Sequence, residues 1–394
     1  MSTAFDRMWT DLESVGRDPG GGYRRFAWTT EDAALREWFV AEAERRALDH
    51  LVDRAGNQWA WWGDPDSDGP GVVTGSHLDS VPRGGAYDGP LGVASAFAAI
   101  DELRSRGWTP PRPVGVVAFA DEEGARFGVA CAGSRLLTGA LSPGHALALT
   151  DVDGTTMAEA MRHGGVDPGA VGADAEALGR VGVFVELHVE QGRHLVDVGT
   201  PVGVAGAIWP HGRWRVTLTG QANHAGTTAM DGRADPMLGL ASLIVTARSA
   251  AIRHGALATV GKVEVDPNGV NAIPSQVRAW LDCRAADEAA VRSLLADLAE
   301  FAPAQESWTP RTPFDPALAH RLAVAVGTTQ APAPVLDTGA GHDAGVLSSA
   351  RVPTAMLFVR NPTGVSHSPA EFAERDDCLT GVVALADVLT ELAR

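Results

Sequence analysis

The chain has 394 residues, 45% of them hydrophobic and 21% charged, which is enough for two domains with sizeable cores. Its formal net charge of −17 excludes the basic footprint that a nucleic-acid or membrane-surface partner requires, so an anionic substrate would have to be held by a few local arginines. Cys131, Cys283 and Cys378 are far apart with no C-x-x-C arrangement, the N-terminus carries acids and no signal-like apolar core, and no stretch approaches the ~18 to 20 apolar residues of a membrane span. These features point to a cytoplasmic protein without a disulfide framework.

In chain order, Glu31 to Ala47 has apolar residues at helical spacing, and Asp49 to Gly63 alternates like a strand pair turning at Gly56-Asn57. Gly69 to Gly75 is an apolar run that predicts a buried strand delivering His77 and Asp79 at its end. Pro90 to Gly107 predicts a helix, with Pro near its start and Gly at its end. Pro113 to Ala120 predicts a second buried strand, delivering Asp121, Glu122 and Glu123. Arg180 to Gly192 predicts a third, ending in Glu186, His188, Glu190 and Gln191. Strand, polar site, helix, strand and polar site in this order imply right-handed crossovers and a mostly parallel sheet, whose strand ends are where such sheets bind ligands.

Near Ile208 the pattern changes. Arg213 to Gln221, Ala256 to Pro267 and Gln276 to Ala285 alternate as half-exposed strands, and Pro236 to Gly255 and Asp287 to Ala302 are helical, which together make an α+β unit with one face of its sheet covered. The Pro-rich stretch Ala302 to Pro316 is the linker candidate. A helix follows, and a strand from Val352 to Arg360 then delivers Ser366, His367, Ser368 and Glu371. The expected fold is therefore α/β: a mostly parallel-sheet catalytic domain, 1–208 and 316–394, into which an α+β domain, 209–315, is inserted.

Histidines and carboxylates at the ends of separate strands suit Zn²⁺ or a neighbouring divalent ion. Singly, a histidine such as His77 is more often a hydrogen-bonded structural residue than a ligand, and adjacent acids such as Glu122-Glu123 are usually a solvated loop. Together, GSHLDSVPRGGAYDGPLGV, ADEEGARFG, ELHVEQG, GQANHAGTTAM, NAIPSQVRAWLDCR, GAGHDA and GVSHSPAE resemble the two-metal amidohydrolases related to aminoacylases. Within that family they resemble the branch of allantoate amidohydrolase, N-carbamoyl-L-amino-acid hydrolase and β-ureidopropionase. The resemblance implies that His77 and His188 bind one ion, that Asp88 bridges two ions, and that Glu123 and His367 complete the ligand set of the second ion. It also implies that His224 reaches the active site of a partner subunit in a homodimer, that Asn271 and Arg284 grip a substrate carboxylate, that Gln191 reads a ureido group, and that Gly341 and His342 line the pocket. In GTTAM, Ala229 stands where the branch commonly has proline, a change in loop stiffness.

The chemistry runs parallel to that assignment. A shared carboxylate can hold two ions ~3.5 to 4 Å apart. Asp79, two residues past His77, is placed to fix its ring tautomer, and Glu122, beside a ligand without being one, is the expected general base. The expected activity is hydrolysis of a ureido C–N bond on a small carboxylate, with two Zn²⁺ or Mn²⁺ ions. Allantoate is the leading substrate and an N-carbamoyl-L-amino acid the alternative. A peptidase or deacylase of the same fold, and a non-catalytic binding module, are the competing classes; the second would be signalled by loss of Glu122 or of a ligand, and none is lost.

Overall fold

The computed structural model describes residues 2–394. Contacts divide the chain into two compact units, one made of the residues up to Gly206 with Phe314–Arg394 and the other of Ala207–Pro313.

The first unit is built on one sheet, in which the strands Val114–Phe119, Gly71–His77, Val181–Val189 and Thr354–Val359 lie side by side and parallel. Each is wholly or almost wholly buried along its length, so each had to be a near-continuous apolar run, and that is the form in which parallel strands can be found in a sequence. His77 registers with Phe119 and His188 with Phe358, so the four C-terminal ends share one edge. The two flanks are antiparallel: Gln58–Trp62 and then Asp49–Val52 on one side, and Val202–Ile208 on the other.

The helices Pro90–Ser105 and Arg375–Leu392 pack together against the sheet. The first has Pro at its first position and is buried on nearly every side, which its Ala-, Val- and Leu-rich sequence permits. Phe97, Leu187 and Leu389 are wholly buried in this core and contribute roughly 1.5 to 3 kcal/mol each. The N-terminal segment forms the helix Ser2–Glu13 and buries Phe5, Met8 and Leu12. Among the described residues no helix is long and apolar enough to cross a membrane.

The second unit is a four-stranded antiparallel sheet ordered Ala304–Thr309, His211–Thr219, Gln276–Ala285, Ala256–Asp266. The alternation of Gln276–Ala285 is complete: every second residue is buried, against the helices Pro236–His254 and Glu288–Asp297. The linker expected at Ala302 to Pro316 is corrected here, because Ala304–Thr309 pairs with His211–Thr219 as an edge strand. Pro303 and Pro310 bracket the strand, which is where prolines are tolerated at a sheet edge; its pairing shifts register between Gln305 and Ser307, and the exposed Gln305, Glu306 and Ser307 gave no apolar signal.

Candidate metal centre

The shared C-terminal edge of the parallel strands carries the site. His77 ends one strand and His188 lies one residue from the end of another, and both rings are buried. Nδ1 of His77 faces the Asp79 carbonyl at 3.1 Å and Nδ1 of His188 the Val189 carbonyl at 2.9 Å. A carbonyl only accepts, so each Nδ1 carries a proton and each Nε2 is turned to the ligand side. There they meet Asp88, whose Oδ1 is 3.8 Å from His77 Nε2 and 3.1 Å from His188 Nε2. On its other side, Asp88 Oδ2 is 3.3 Å from His367 Nε2, which is 3.6 Å from Glu123 Oε2. Two three-residue groups, His77-Asp88-His188 and Asp88-Glu123-His367, thus share one carboxylate, and in each the candidate ligand atoms lie within 4.8 Å of one another. Glu123 Oε1 is buried with no hydrogen-bond partner, an atom left available to a cation. The donor set of imidazole and carboxylate fits two divalent ions.

The electrostatics show how much positive charge these carboxylates require. Burial alone would raise the Asp88 pKa, but contact with the imidazoles of His188, His367 and His77 holds it well below the usual carboxylate range. That same contact with Asp88 pushes His367 up to about 9. Burial, reinforced by Asp88, raises Glu123 to about 7, and burial raises Glu122 well above its ordinary value.

Close packing and local hydrogen bonds fix this arrangement. Gly89, at φ +87°, lies so near the His77 ring that a Cβ there would fall 2.4 Å from Cε1. The Asp79 carboxylate accepts the backbone N–H groups of Glu122 at 3.1 Å and Glu123 at 3.0 Å, and its Oδ1 is 3.4 Å from His77 Nδ1. The carbonyl of Asp79 is therefore the nearer partner of His77, and its carboxylate chiefly holds the Glu122-Glu123 loop. Glu371 accepts the N–H groups of Tyr87 and Asp88, and the Ser366 hydroxyl lies 3.1 Å from both Asp88 Oδ2 and Glu371 Oε2. Glu186, buried two residues before His188 on the same face of the strand, accepts from Ser76 Oγ and the Ala344 N–H. Neither clasp has a local sequence signal, since each partner lies far along the chain.

Gln191 joins the site, with Nε2 3.0 Å from Asp88 Oδ2 and 3.1 Å from Ser366 Oγ. The His342 ring lies 4.5 Å from that of His188, tilted at 59°, with its Nε2 buried and unpartnered, and burial holds its pKa well below the ordinary imidazole value. It follows Gly341 at the start of the helix Asp343–Ser349. In the second unit, His224 is exposed on a two-residue strand paired with Ala272, and the Ala225 N–H donates to the Asn271 carbonyl, so His224 and Asn271 are neighbours. Arg284 is not with them. It registers with His211 at the opposite end of the Gln276–Ala285 strand, roughly 25 Å away at ~3.3 Å per residue. Its guanidinium forks onto the Asp282 carboxylate, with Nε at 2.6 Å and a terminal nitrogen at 2.9 Å. Asn271 and Arg284 are thus not adjacent within a single copy of the chain.

Known proteins are similar to this chain along nearly its whole length. Residues 73–391 match the model of Peptidase family M20/M25/M40. The chain belongs to this metal-dependent family. It is 36% identical to the N-carbamoyl-L-amino acid amidohydrolase of Geobacillus stearothermophilus, over 99% of this chain and 98% of that protein. It is 33% identical to the allantoate amidohydrolase of Escherichia coli, over 97% of this chain and 96% of that one. Among solved structures, the hydantoinase/carbamoylase family amidase from Burkholderia vietnamiensis superposes with a TM-score of 0.90 at 31% identity, covering 100% of this chain and 97% of that one.

Proposed function

We propose that this M20 chain is a cytoplasmic, homodimeric amidohydrolase that uses two divalent ions, Zn²⁺ or Mn²⁺, to cleave a ureido C–N bond on a small carboxylate. Allantoate is the leading substrate and an N-carbamoyl-L-amino acid the alternative, in keeping with the two relatives named above. The observation that carries the reading is the pair of ligand groups sharing Asp88, with the Gln191 amide against that same carboxylate. A peptide offers no second amide nitrogen at the scissile carbonyl, whereas a ureido group does, and the Gln191 carboxamide is suited to bind it.

His77, His188 and Asp88 would hold one ion, and Asp88, Glu123 and His367 the other. When bound, the ions supply a nucleophile from water near neutral pH and polarise the ureido carbonyl. Glu122, buried and 3.7 Å from His77 Nε2 without belonging to either ligand group, takes the attacking water's proton through Oε2 and returns it to the leaving nitrogen. Asp79 keeps the Glu122-Glu123 loop in register. His342, neutral and unpartnered, and the backbone at Gly341 line the substrate side. Arg284 grips the substrate carboxylate in competition with Asp282, for which its planar fork is suited.

The dimer reading rests on the second unit taken by itself. Leu238, Val245 and Ile252 are 71%, 66% and 69% exposed and recur every seven residues, which is one stripe on the helix Pro236–His254. The neighbouring strand Ala256–Asp266 is a sheet edge bearing exposed Leu257 and Val263. A second copy would cover both features. His224 and Asn271 lie far from Arg284 in one copy, yet all three serve a single substrate if His224, as oxyanion donor, and Asn271 reach across to the partner's site. The test is ammonia release from allantoate and from a panel of N-carbamoyl-L-amino acids by the metal-reconstituted protein, with amine release from dipeptides measured in parallel. Turnover of dipeptides alone would refute the reading.

A further inference from the structure

Glu122 has two carboxylate oxygens in different surroundings. Oε2 faces His77 Nε2 at 3.7 Å, on the side of the ligand groups. Oε1 faces the other way, toward Cys131, whose Sγ is 3.4 Å distant. The backbone around this contact is tightly tied: the Cys131 N–H donates to the Glu122 carbonyl at 2.6 Å, Ala132 to Asp121 at 3.0 Å and Gly133 to Ala120 at 2.9 Å. The segment leaving the strand Val114–Phe119 is thereby joined to the start of the helix Ala132–Thr138. Cys131 itself has φ +54°, a left-handed conformation that a residue with a Cβ adopts only under constraint. That bend directs the side chain back onto Glu122, and the thiol is 4% exposed.

We propose that Cys131 is a positioning residue for the hydrolytic reaction: its S–H donates to Oε1 of Glu122 and fixes the rotation of the carboxylate, so that Oε2 alone is presented to the attacking water. The inference rests on the reading of Glu122 as the general base. A carboxylate whose outer oxygen lacks a partner can rotate about its terminal bond, and at a proton-transfer centre a misplacement of ~1 Å costs up to ~10² in rate. Burial also holds the thiol well above its usual pKa, so it stays the proton-bearing partner and is no thiolate competitor for the ions.

The test uses the metal-reconstituted full-length enzyme with whichever of allantoate and an N-carbamoyl-L-amino acid it turns over better, and measures kcat, KM, metal content and melting temperature. Cys131→Ala should lower kcat about 5- to 30-fold with KM within about two-fold and metal content unchanged. Cys131→Ser, which restores a donor, should recover most of that loss. Cys131→Gly accepts the positive φ without strain and also removes the thiol, so it should match the alanine enzyme even if alanine folds poorly. In a Glu122→Gln background, Cys131→Ala should add no further loss in kcat, because the residue acts only through that carboxylate. Unchanged kcat in the alanine and glycine enzymes, a serine enzyme as slow as they are, or a loss that adds fully to that of Glu122→Gln would each overturn the positioning role alone. Near-normal turnover of Glu122→Gln by itself would remove the base reading, and this inference with it.

Discussion

Replacing Asp79 by asparagine separates orientation of the site from ligation, because Asp79 belongs to neither ligand group yet touches both the His77 ring and the Glu122-Glu123 loop. Asparagine has almost the same shape but only one acceptor oxygen, and its NH₂ would face a backbone N–H 3.0 to 3.1 Å away. One buried N–H is then left without an acceptor, at a cost of about 1 to 3 kcal/mol. For a domain of this size the melting temperature should fall by roughly 2 to 8 °C, measured by calorimetry on chelated protein so that metal binding does not mask the change. The loop carrying Glu122 and Glu123 moves to relieve the donor–donor contact, so kcat of the reloaded enzyme should fall about 10- to 100-fold, the range found for groups that orient a metal site. If chelated Asp79→Asn melts with the parent and its loaded form turns over within two-fold, the carboxylate does not hold the loop and the account of its role is wrong.

Glu122→Gln should retain both ions by elemental analysis and lose at least ~10² in kcat; near-normal turnover in a fully loaded sample would refute its role as base. Ion binding should release protons. His367, raised to about 9, is protonated at pH 8 and must lose that proton to ligate, and Glu123, raised to about 7, adds a second below pH 7. Affinity should therefore weaken as the pH falls through 9 and again through 7, with at least one proton released at pH 8 and a larger number at pH 6, since His77 and His188 are also raised, by titration calorimetry in buffers of different ionisation heat. Heats that do not depend on the buffer would contradict this. The parent protein should be a dimer in light scattering and Val245→Asp a monomer, and a parent protein already monomeric at micromolar concentration would remove the shared-site reading. Arg284→Lys should raise KM for the carboxylate substrate at least ~10-fold with a smaller effect on kcat, because the ammonium keeps the charge and loses the two-point contact.

How far the site could be read from sequence follows from which of its interactions are local. Buried parallel strands leave unbroken apolar runs, so Gly71–His77, Val114–Phe119 and Val181–Val189 were visible, and the polar residues just past them were candidates by position alone. The groups that orient those residues come from elsewhere in the chain. Glu371 holds the Asp88 backbone N–H across 283 residues, and Ser134 binds Asp343 across 209, so no window along the sequence contains both partners. Helices as short as Ala132–Thr138 and Ala175–Gly179 are too brief for a period to develop, and Ala304–Thr309, with Trp308 its one large apolar side chain, offers no alternation between its two prolines.

Arg360 and Asn361 illustrate the same division. In the run FVRNPTGVSH nothing distinguishes them from loop residues, but in the folded chain Arg360 forks onto Asp377 of the helix Arg375–Leu392, at 2.8 and 3.0 Å. Asn361 is wholly buried, with its Oδ1 accepting the Thr363 and Gly364 N–H groups and its Nδ2 donating to the Val365 carbonyl. Those bonds shape the turn that ends at Ser366 and at His367, itself in the left-handed region at φ +54°. A residue forced into that conformation keeps it only when the surrounding chain determines it. Asn361 and Arg360 are thus how the last strand sets the direction of His367, a candidate ligand that the sequence offered without the means of aiming it.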